Sequence, residues 1–132
     1  MTARAAGTFD VKLAPLAAAD AESGLGRMSI AKTFSGELQG SSKGEMLALS
    51  TVVKGSAGYV AMETVTATLS GRSGSFALQH LGIMTRGTPT LSINVVPDSG
   101  TGELTGLSGT LAIDIIDGKH FYTLNYTLPD NT

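Results

Sequence analysis

The chain contains no cysteine and no tryptophan, has only two histidines, and carries charge on just 15% of its 132 residues. Without cysteine there is no disulfide, no thiolate nucleophile and no zinc knuckle. Two histidines do not predict a dedicated transition-metal site, so we expect neither a metal nor a cofactor. The formal net charge is −2 and no basic stripe is present, which makes nucleic-acid binding an unexpected function.

Long hydrophobic runs are also missing. No stretch is long enough to span a bilayer, and residues 1–13 lack the apolar run of a signal peptide. We therefore expect a soluble cytoplasmic protein with no membrane partner. The length, together with 42% apolar residues, predicts one globular domain over residues 1–132.

Glycine and period-two alternation are abundant. The 17 glycines are spread along the chain, which suits many turns and bulges. Alternation of apolar and polar side chains predicts β-strands. We predict eight strands, at residues 7–13, 27–38, 44–52, 58–70, 74–84, 90–96, 111–116 and 120–128. Residues 14–26 are predicted to form a mobile loop, residues 97–110 a loop or short helical turn, and Asp117-Gly118 a tight hairpin.

Eight consecutive strands, mostly linked by hairpins, predict an all-β antiparallel fold with little or no helix. An antiparallel sheet must protect its edges, and closure into a barrel removes them. We therefore predict a closed eight-stranded antiparallel barrel, whose interior would hold side chains or one small ligand. A two-sheet sandwich is the alternative.

The segment ETVTATLSGRSGSFALQH, residues 63–80, predicts two strands joined by a turn at residues 71–74. In that register Glu63 lies opposite Gly82 and is a diagonal neighbour of His80, with both side chains on the interior face. A slip by one residue would separate them, because it moves every side chain of one strand to the other face.

Lys32 is the third polar residue predicted to face inward, because it shares a face with the larger apolar side chains of its strand. An inward lysine without a counter-charge is unfavourable by several kcal/mol, so Glu63 is its expected partner. Burial raises the pKa of a glutamate and a nearby lysine lowers it, while a histidine with such neighbours can exchange protons near neutral pH.

Glu63, His80 and Lys32 are therefore the candidate catalytic residues. Glu63 would be the base, His80 its proton partner or orienting residue, and Lys32 the group that tunes Glu63. On this hypothesis Glu63→Gln abolishes activity and leaves the melting temperature close to that of the wild type. The alternative is a purely structural cluster that fixes the strand register.

Further candidates line the predicted interior. Tyr122 or Tyr126 is expected to donate a hydrogen bond to a developing oxyanion, and His120 is expected near the rim. Arg86 is placed at the barrel mouth, although a solvated arginine is the alternative there. The predicted ligand-binding residues are Tyr59, Phe76, Leu78, Met84, Arg86, His120, Tyr122, Tyr126 and Phe34.

Several blocks of the chain resemble the domain-of-unknown-function family 3224. The most specific are KGSAGYVAMETVTATLSGRSGSFALQH and VVPDSGTGELTGLSGT, and the likeness runs from residue 7 to residue 128. That family is similar in fold to the allene oxide cyclases and dirigent proteins. The resemblance therefore implies a closed eight-stranded barrel with an apolar cavity.

Three functional hypotheses follow. The first is a barrel that binds an apolar or aromatic small molecule and catalyses isomerisation, cyclisation or proton-transfer elimination without a cofactor. The second is a non-catalytic carrier of such a molecule. The third is a structural or oligomeric barrel whose interior is filled by side chains. A homodimer is compatible with an outer surface rich in threonine and small residues.

Overall fold

The computed structural model describes residues 2–17 and 21–129, and they form a closed barrel of eight antiparallel strands. The strands are β1 (Thr2–Leu16), β2 (Gly26–Gly36), β3 (Leu38–Ser50), β4 (Ala57–Leu69), β5 (Arg72–Thr85), β6 (Thr88–Val95), β7 (Ser108–Ile116) and β8 (Lys119–Thr127). Each strand pairs with the next, and β8 pairs with β1. The predicted barrel is confirmed, and the sandwich alternative is excluded.

Helical structure in this part of the chain is limited to two 3₁₀ turns, Ala21–Ser23 and Gly102–Leu104. Within the same residues, no helix has the length and hydrophobicity that crossing a bilayer requires. The first 3₁₀ turn falls in the predicted 14–26 loop. Strand β1 continues into that loop as far as Leu16, and residues 18–20 lie outside the described residues.

Strand β3 begins at Leu38, six residues earlier than predicted. Its first half, QGSSKG, is made of small and polar residues with weak strand propensity, so the sequence suggested a loop. The neighbouring strands override that propensity: Ser42 pairs with Lys32 of β2 on one side and with Val65 of β4 on the other.

The turn predicted at residues 71–74 is wrong. The β4–β5 hairpin turns on Ser70 and Gly71 alone, so Leu69 pairs with Arg72. Both turn residues have positive φ, 47° and 88°, which is the two-residue geometry that matches the twist of a hairpin. The register differs from the predicted one by four residues. Because four is even, every side chain stays on its predicted face.

One end of the barrel, where β1 begins, is closed. The connection between β6 and β7 folds under this end and buries Leu104 and Leu107 in the core. Above them, inward side chains of all the strands fill the lower half of the barrel. The largest fully buried ones include Phe76, Leu78 and Tyr122. The buried residues of this half form one continuous hydrophobic core.

The opposite end is open. The inward-facing side chains nearest to it remain substantially exposed: Leu13 (48%), Met84 (41%), Leu91 (43%) and Ile115 (65%). Since these residues occupy interior positions of their strands, their exposure means that the mouth of the barrel is not packed shut. The barrel is therefore a cup, with a filled base and an apolar opening.

The barrel wall is weakest between β6 and β7. These strands pair at one position, Asn94 with Thr110, whereas β7 and β8 pair at nine. Toward the open end β6 and β7 diverge and leave a slot of about 310 Å³, lined by Leu91, Ile93, Leu111 and their neighbours.

Candidate functional site

Glu63 is the centre of a buried polar cluster. Its Oε1 accepts hydrogen bonds from Lys32 Nζ at 2.8 Å and from His80 Nε2 at 2.6 Å, and its Oε2 accepts one from Ser42 Oγ at 2.5 Å. Glu63, His80 and Lys32 are only 2%, 3% and 7% exposed. The structure thus brings together the three residues predicted from sequence and adds a fourth, Ser42.

Four consecutive strands supply one residue each to this cluster. Lys32 of β2 lies directly opposite Ser42 of β3. Glu63 of β4 lies opposite Leu78 of β5 and is therefore a diagonal neighbour of His80 on that strand. Diagonal neighbours on one face are within reach of long side chains. The cluster is therefore held by the barrel wall itself rather than by loops.

Close approach of β3 to β4 depends on Gly44, which pairs directly with Glu63. A Cβ atom at Gly44 would overlap the carbonyl oxygen of Met62 and lie 2.7 Å from Cβ of Glu63. Only glycine lets the two backbones come this near. That approach brings Ser42, two residues away on β3, within hydrogen-bonding distance of the carboxylate.

Glu63 is ionised in the folded protein. Burial by itself raises its pKa, but the hydrogen bond from His80, the charge and hydrogen bond of Lys32, and the hydrogen bond from Ser42 outweigh burial and lower the pKa from 4.5 to about 2. A carboxylate with so low a pKa is a weak base at neutral pH. The sequence-based role of Glu63 as the base therefore does not fit its surroundings.

Lys32 and His80 keep hydrogen-bonding capacity that Glu63 does not use. The Lys32 ammonium lies 5.1 Å from the ring centroid of Phe9 and 5.9 Å from that of Phe34. Within residues 2–17 and 21–129, Glu63 supplies its one hydrogen-bond acceptor, so two N–H groups are available. His80 bonds through Nε2, and no described residue binds its Nδ1.

Three aromatic residues lie around this cluster: Tyr59 and His120 toward the open end, and Phe9 in the core. The rings of Tyr59 and His80 are 6.4 Å apart, and those of Phe9 and His120 are 5.1 Å apart. Burial, followed by the charge of Glu63, raises the pKa of the Tyr59 phenol. The Tyr59 ring lies over Gly82, where a Cβ would overlap it. Tyr59 and His120 are half-buried, so the cluster is bordered by aromatic rings on the side of the open end.

The predicted ligand-binding residues divide between the two ends of the barrel. Tyr59, Met84, Arg86 and His120 are at the open end, with Arg86 exposed in the β5–β6 turn. The other five belong to the packed lower half or its border. They are Phe34, Phe76, Leu78, Tyr122 and Tyr126.

Tyr122 has a different role from the predicted one. Its hydroxyl accepts a hydrogen bond from the Leu38 N–H at 2.9 Å and donates to the carbonyl oxygen of Ser35 at 2.9 Å. Burial raises the pKa of this phenol, although the Leu38 hydrogen bond opposes the effect. The hydroxyl therefore fixes the β2–β3 connection and is not free to stabilise an oxyanion.

Ser42 was missed because the sequence suggested a loop at its position. Extending the alternation of β3 back to Leu38 would have put Ser42 on the interior face. In the described part of the chain, no three histidine, aspartate or glutamate side chains come together in an arrangement that could hold a metal ion. Both oxygens of Glu63 are already occupied by protein donors.

Acid is expected to weaken the fold through Glu63. The pKa of Glu63 is lower in the folded state than in the unfolded state. Its contribution to the free energy of unfolding is therefore complete above pH about 5 and disappears as the pH falls toward about 2. A shift from 4.5 to about 2 corresponds to roughly 3 kcal/mol. Urea denaturation across this range should show the loss in the wild type. Glu63→Gln should lack this component, and equal pH dependence in both proteins would contradict the assignment.

Comparisons with known proteins identify relatives of the chain. The family model described as "Protein of unknown function (DUF3224)" matches residues 5–126. A crystal structure of a protein with unknown function from the DUF3224 family of Shewanella oneidensis MR-1 is 53% identical in sequence, with a TM-score of 0.93. The match covers 98% of this chain and 99% of that chain. No curated protein matches.

Proposed function

Because this chain belongs to the DUF3224 family, a family of unknown function, we propose its function from the geometry of the barrel. The open end binds a small molecule that has an apolar body and one group that accepts hydrogen bonds. His80, oriented by Glu63, exchanges a proton with that molecule. The likeness to allene oxide cyclases and dirigent proteins stays a prediction, and the proposal does not depend on it.

The unused hydrogen-bonding capacity of Lys32 and His80 is the observation that carries this proposal. Glu63 has no free oxygen, whereas Lys32 has two N–H groups without a described partner. The cluster therefore offers donors, and a buried donor is favourable only when an acceptor meets it. A carbonyl, carboxylate or phenolate oxygen would be such an acceptor.

The apolar body of the ligand would occupy the open end of the cup. Its walls are formed by inward-facing aliphatic and aromatic side chains above the cluster, among them Leu91, Ile113 and Tyr59. Ile93, which lines the β6–β7 slot, pairs directly with His80. A ligand whose polar group contacts the cluster would therefore lie beside Ile93 and extend toward the mouth.

His80 is the proposed proton acceptor in place of Glu63. Since Glu63 is ionised and accepts from Nε2, the proton of a neutral imidazole sits on Nε2 and leaves a lone pair on Nδ1. Nδ1 would remove a proton from carbon adjacent to a carbonyl. The C–H electron pair would move into an enolate whose oxygen Lys32 stabilises, and the proton would return at another position. Isomerisation, cyclisation and elimination share the removal of this proton; in an elimination, a leaving group departs from the β-carbon with its electron pair and the proton does not return to carbon.

Binding inside the barrel can be tested with benzoate, which joins a flat apolar ring to an anionic acceptor. Ile113 faces the interior beside the slot, while its neighbour Ala112 faces outward. We expect Ile113→Trp to weaken benzoate binding by about 10-fold or more, because the larger ring fills the cup. The matched control Ala112→Trp should bind as the wild type does, as measured by NMR titration of the His80 ring.

Equal benzoate affinity in the two tryptophan variants would contradict binding inside the barrel. Proton transfer has its own test: exchange of the α-hydrogens of 4-phenylbutan-2-one for deuterium in D₂O. The wild type should accelerate this exchange, and His80→Gln should not. Binding without exchange would support the carrier alternative.

A structural role for the cluster is the second candidate, and the complete occupation of Glu63 favours it. A buried carboxylate whose two oxygens both accept hydrogen bonds from neighbouring strands fixes the strand register of a barrel core. In that case benzoate should leave the His80 resonances unchanged in the wild type. The same titration therefore separates a ligand site from a structural cluster.

A further inference from the structure

Exposed apolar side chains are concentrated in one half of the molecule. Fourteen large apolar side chains are exposed in the described residues, and all of them lie in the half of their strand nearer the open end or in a loop at that end. None lies around the packed lower half. A soluble monomer has scattered exposed apolar residues, whereas a contiguous group marks a surface that another molecule covers.

Six of these side chains form one continuous area on the outer wall of β3, β4 and β5, which we name the wall patch. Val60 is at its centre and pairs with Leu47 on one side and Leu81 on the other. Each of the six is 42–53% exposed. The wall patch consists of Leu47, Leu49, Val60, Met62, Leu81 and Ile83.

We propose that the wall patch is a dimer interface that binds the same patch of a second copy of this chain. Sheet faces bury apolar side chains by packing against another sheet face. A two-fold axis lets one surface serve both copies, and such dimers are the commonest soluble oligomers. This proposal is independent of the ligand site, because the wall patch faces outward.

The area of the wall patch is consistent with such a dimer. Six aliphatic side chains, each about half exposed, offer roughly 300–400 Å² of apolar surface. A specific interface buries about 800 Å² per partner, and about 65% of a homodimer interface is apolar. The patch therefore supplies most of the apolar core, and the polar residues around it, such as Gln79 and Thr64, would form the rim.

The charges beside the wall patch also favour a second copy. Arg27 and Glu45 border it and form an ion pair with each other, with Arg27 Nη2 at 2.6 Å from Glu45 Oε1. In a two-fold dimer, these two opposite charges can pair with their counterparts on the second copy. A groove of about 460 Å³ lies between these charges and Val60, so the surface is concave there.

Val60→Lys tests the interface. Sedimentation equilibrium should find a dimer for the wild type and a monomer for Val60→Lys. Substitution of one central interface residue typically weakens binding about 30-fold. A two-fold interface contains the residue twice, so the dissociation constant of the dimer should rise by about 1,000-fold. The matched control is Thr33→Lys, at an exposed outward position of β2, which should remain dimeric.

Thermal unfolding of each variant establishes that the barrel is intact, and Leu81→Lys serves as a second interface variant. A monomeric wild type, a trimer, or a dimer that survives both interface substitutions would overturn the proposal. So would a monomeric wild type that sediments with vesicles of phosphatidylcholine and phosphatidylserine, because that result would assign the patch to a lipid surface.

Discussion

Glu63→Gln should lower the free energy of unfolding by about 3 kcal/mol at neutral pH. For a chain of this size, that loss corresponds to a decrease of about 10 °C in melting temperature. The amide keeps the size of the side chain and can still accept from Lys32 and His80. The substitution removes the only described counter-charge of Lys32, a buried residue that is 7% exposed. Urea denaturation monitored by circular dichroism measures the change.

Glu45→Gln is the matched control, because it also removes the carboxylate of an ion pair. Glu45 and Arg27 are 55% and 37% exposed in their side chains, and an exposed pair contributes at most about 1 kcal/mol. We expect Lys32→Met combined with Glu63→Gln to be more stable than Glu63→Gln alone, since no buried charge remains. If Glu63→Gln and Glu45→Gln were equally stable, the buried ion pair would not support the fold.

This expectation revises the test that the sequence alone suggested, in which Glu63→Gln left stability unchanged. The sequence identified Lys32 as the partner of Glu63 but not how completely the carboxylate is enclosed. Loss of activity in Glu63→Gln would thus mix a chemical effect with a structural one. His80→Gln leaves the Glu63 carboxylate in place as the partner of Lys32, so it is the better test of proton transfer.

The barrel and the polar cluster could be predicted because both depend on parity. Period-two alternation assigned Lys32, Glu63 and His80 to one face, and the register error at Ser70-Gly71 spanned an even number of residues. The side chains therefore stayed inside although their cross-strand partners changed. The face of the sheet on which a side chain lies can be predicted reliably from alternation. The residue opposite it on the next strand depends on where the chain turns.

Other features depended on contacts between distant segments and could not be predicted. Nothing in QGSSKG signals a strand until β2 and β4 are placed on either side of it. The slot beside Asn94 and Thr110 arises because the long β6–β7 connection folds under the barrel rather than forming a hairpin. Likewise, the Tyr122 hydroxyl reaches backbone atoms of Ser35 and Leu38, more than eighty residues away.

Gly44→Ala should be as damaging as the loss of the Glu63 charge, although it adds only one methyl group. The new Cβ would overlap the Met62 carbonyl oxygen and press against Glu63, and both neighbours belong to the barrel wall rather than to a flexible side-chain end. Overpacking of this kind typically costs about 1–3 kcal/mol, and we expect the upper value because backbone must move. Urea denaturation should record it.

Gly58→Ala is the matched control on the neighbouring strand. A Cβ at Gly58 would meet its nearest atom, the carbonyl oxygen of Gly82, at 3.8 Å, which is ordinary contact. Alanine also reduces the freedom of the unfolded chain, so this variant should equal or slightly exceed the wild type in stability. Because Gly44→Ala separates β3 from β4, it should also break the hydrogen bond of Ser42 to Glu63 and shift the resonances of His80. Wild-type stability in Gly44→Ala would mean that β3 does not approach Glu63 as closely as the cluster requires.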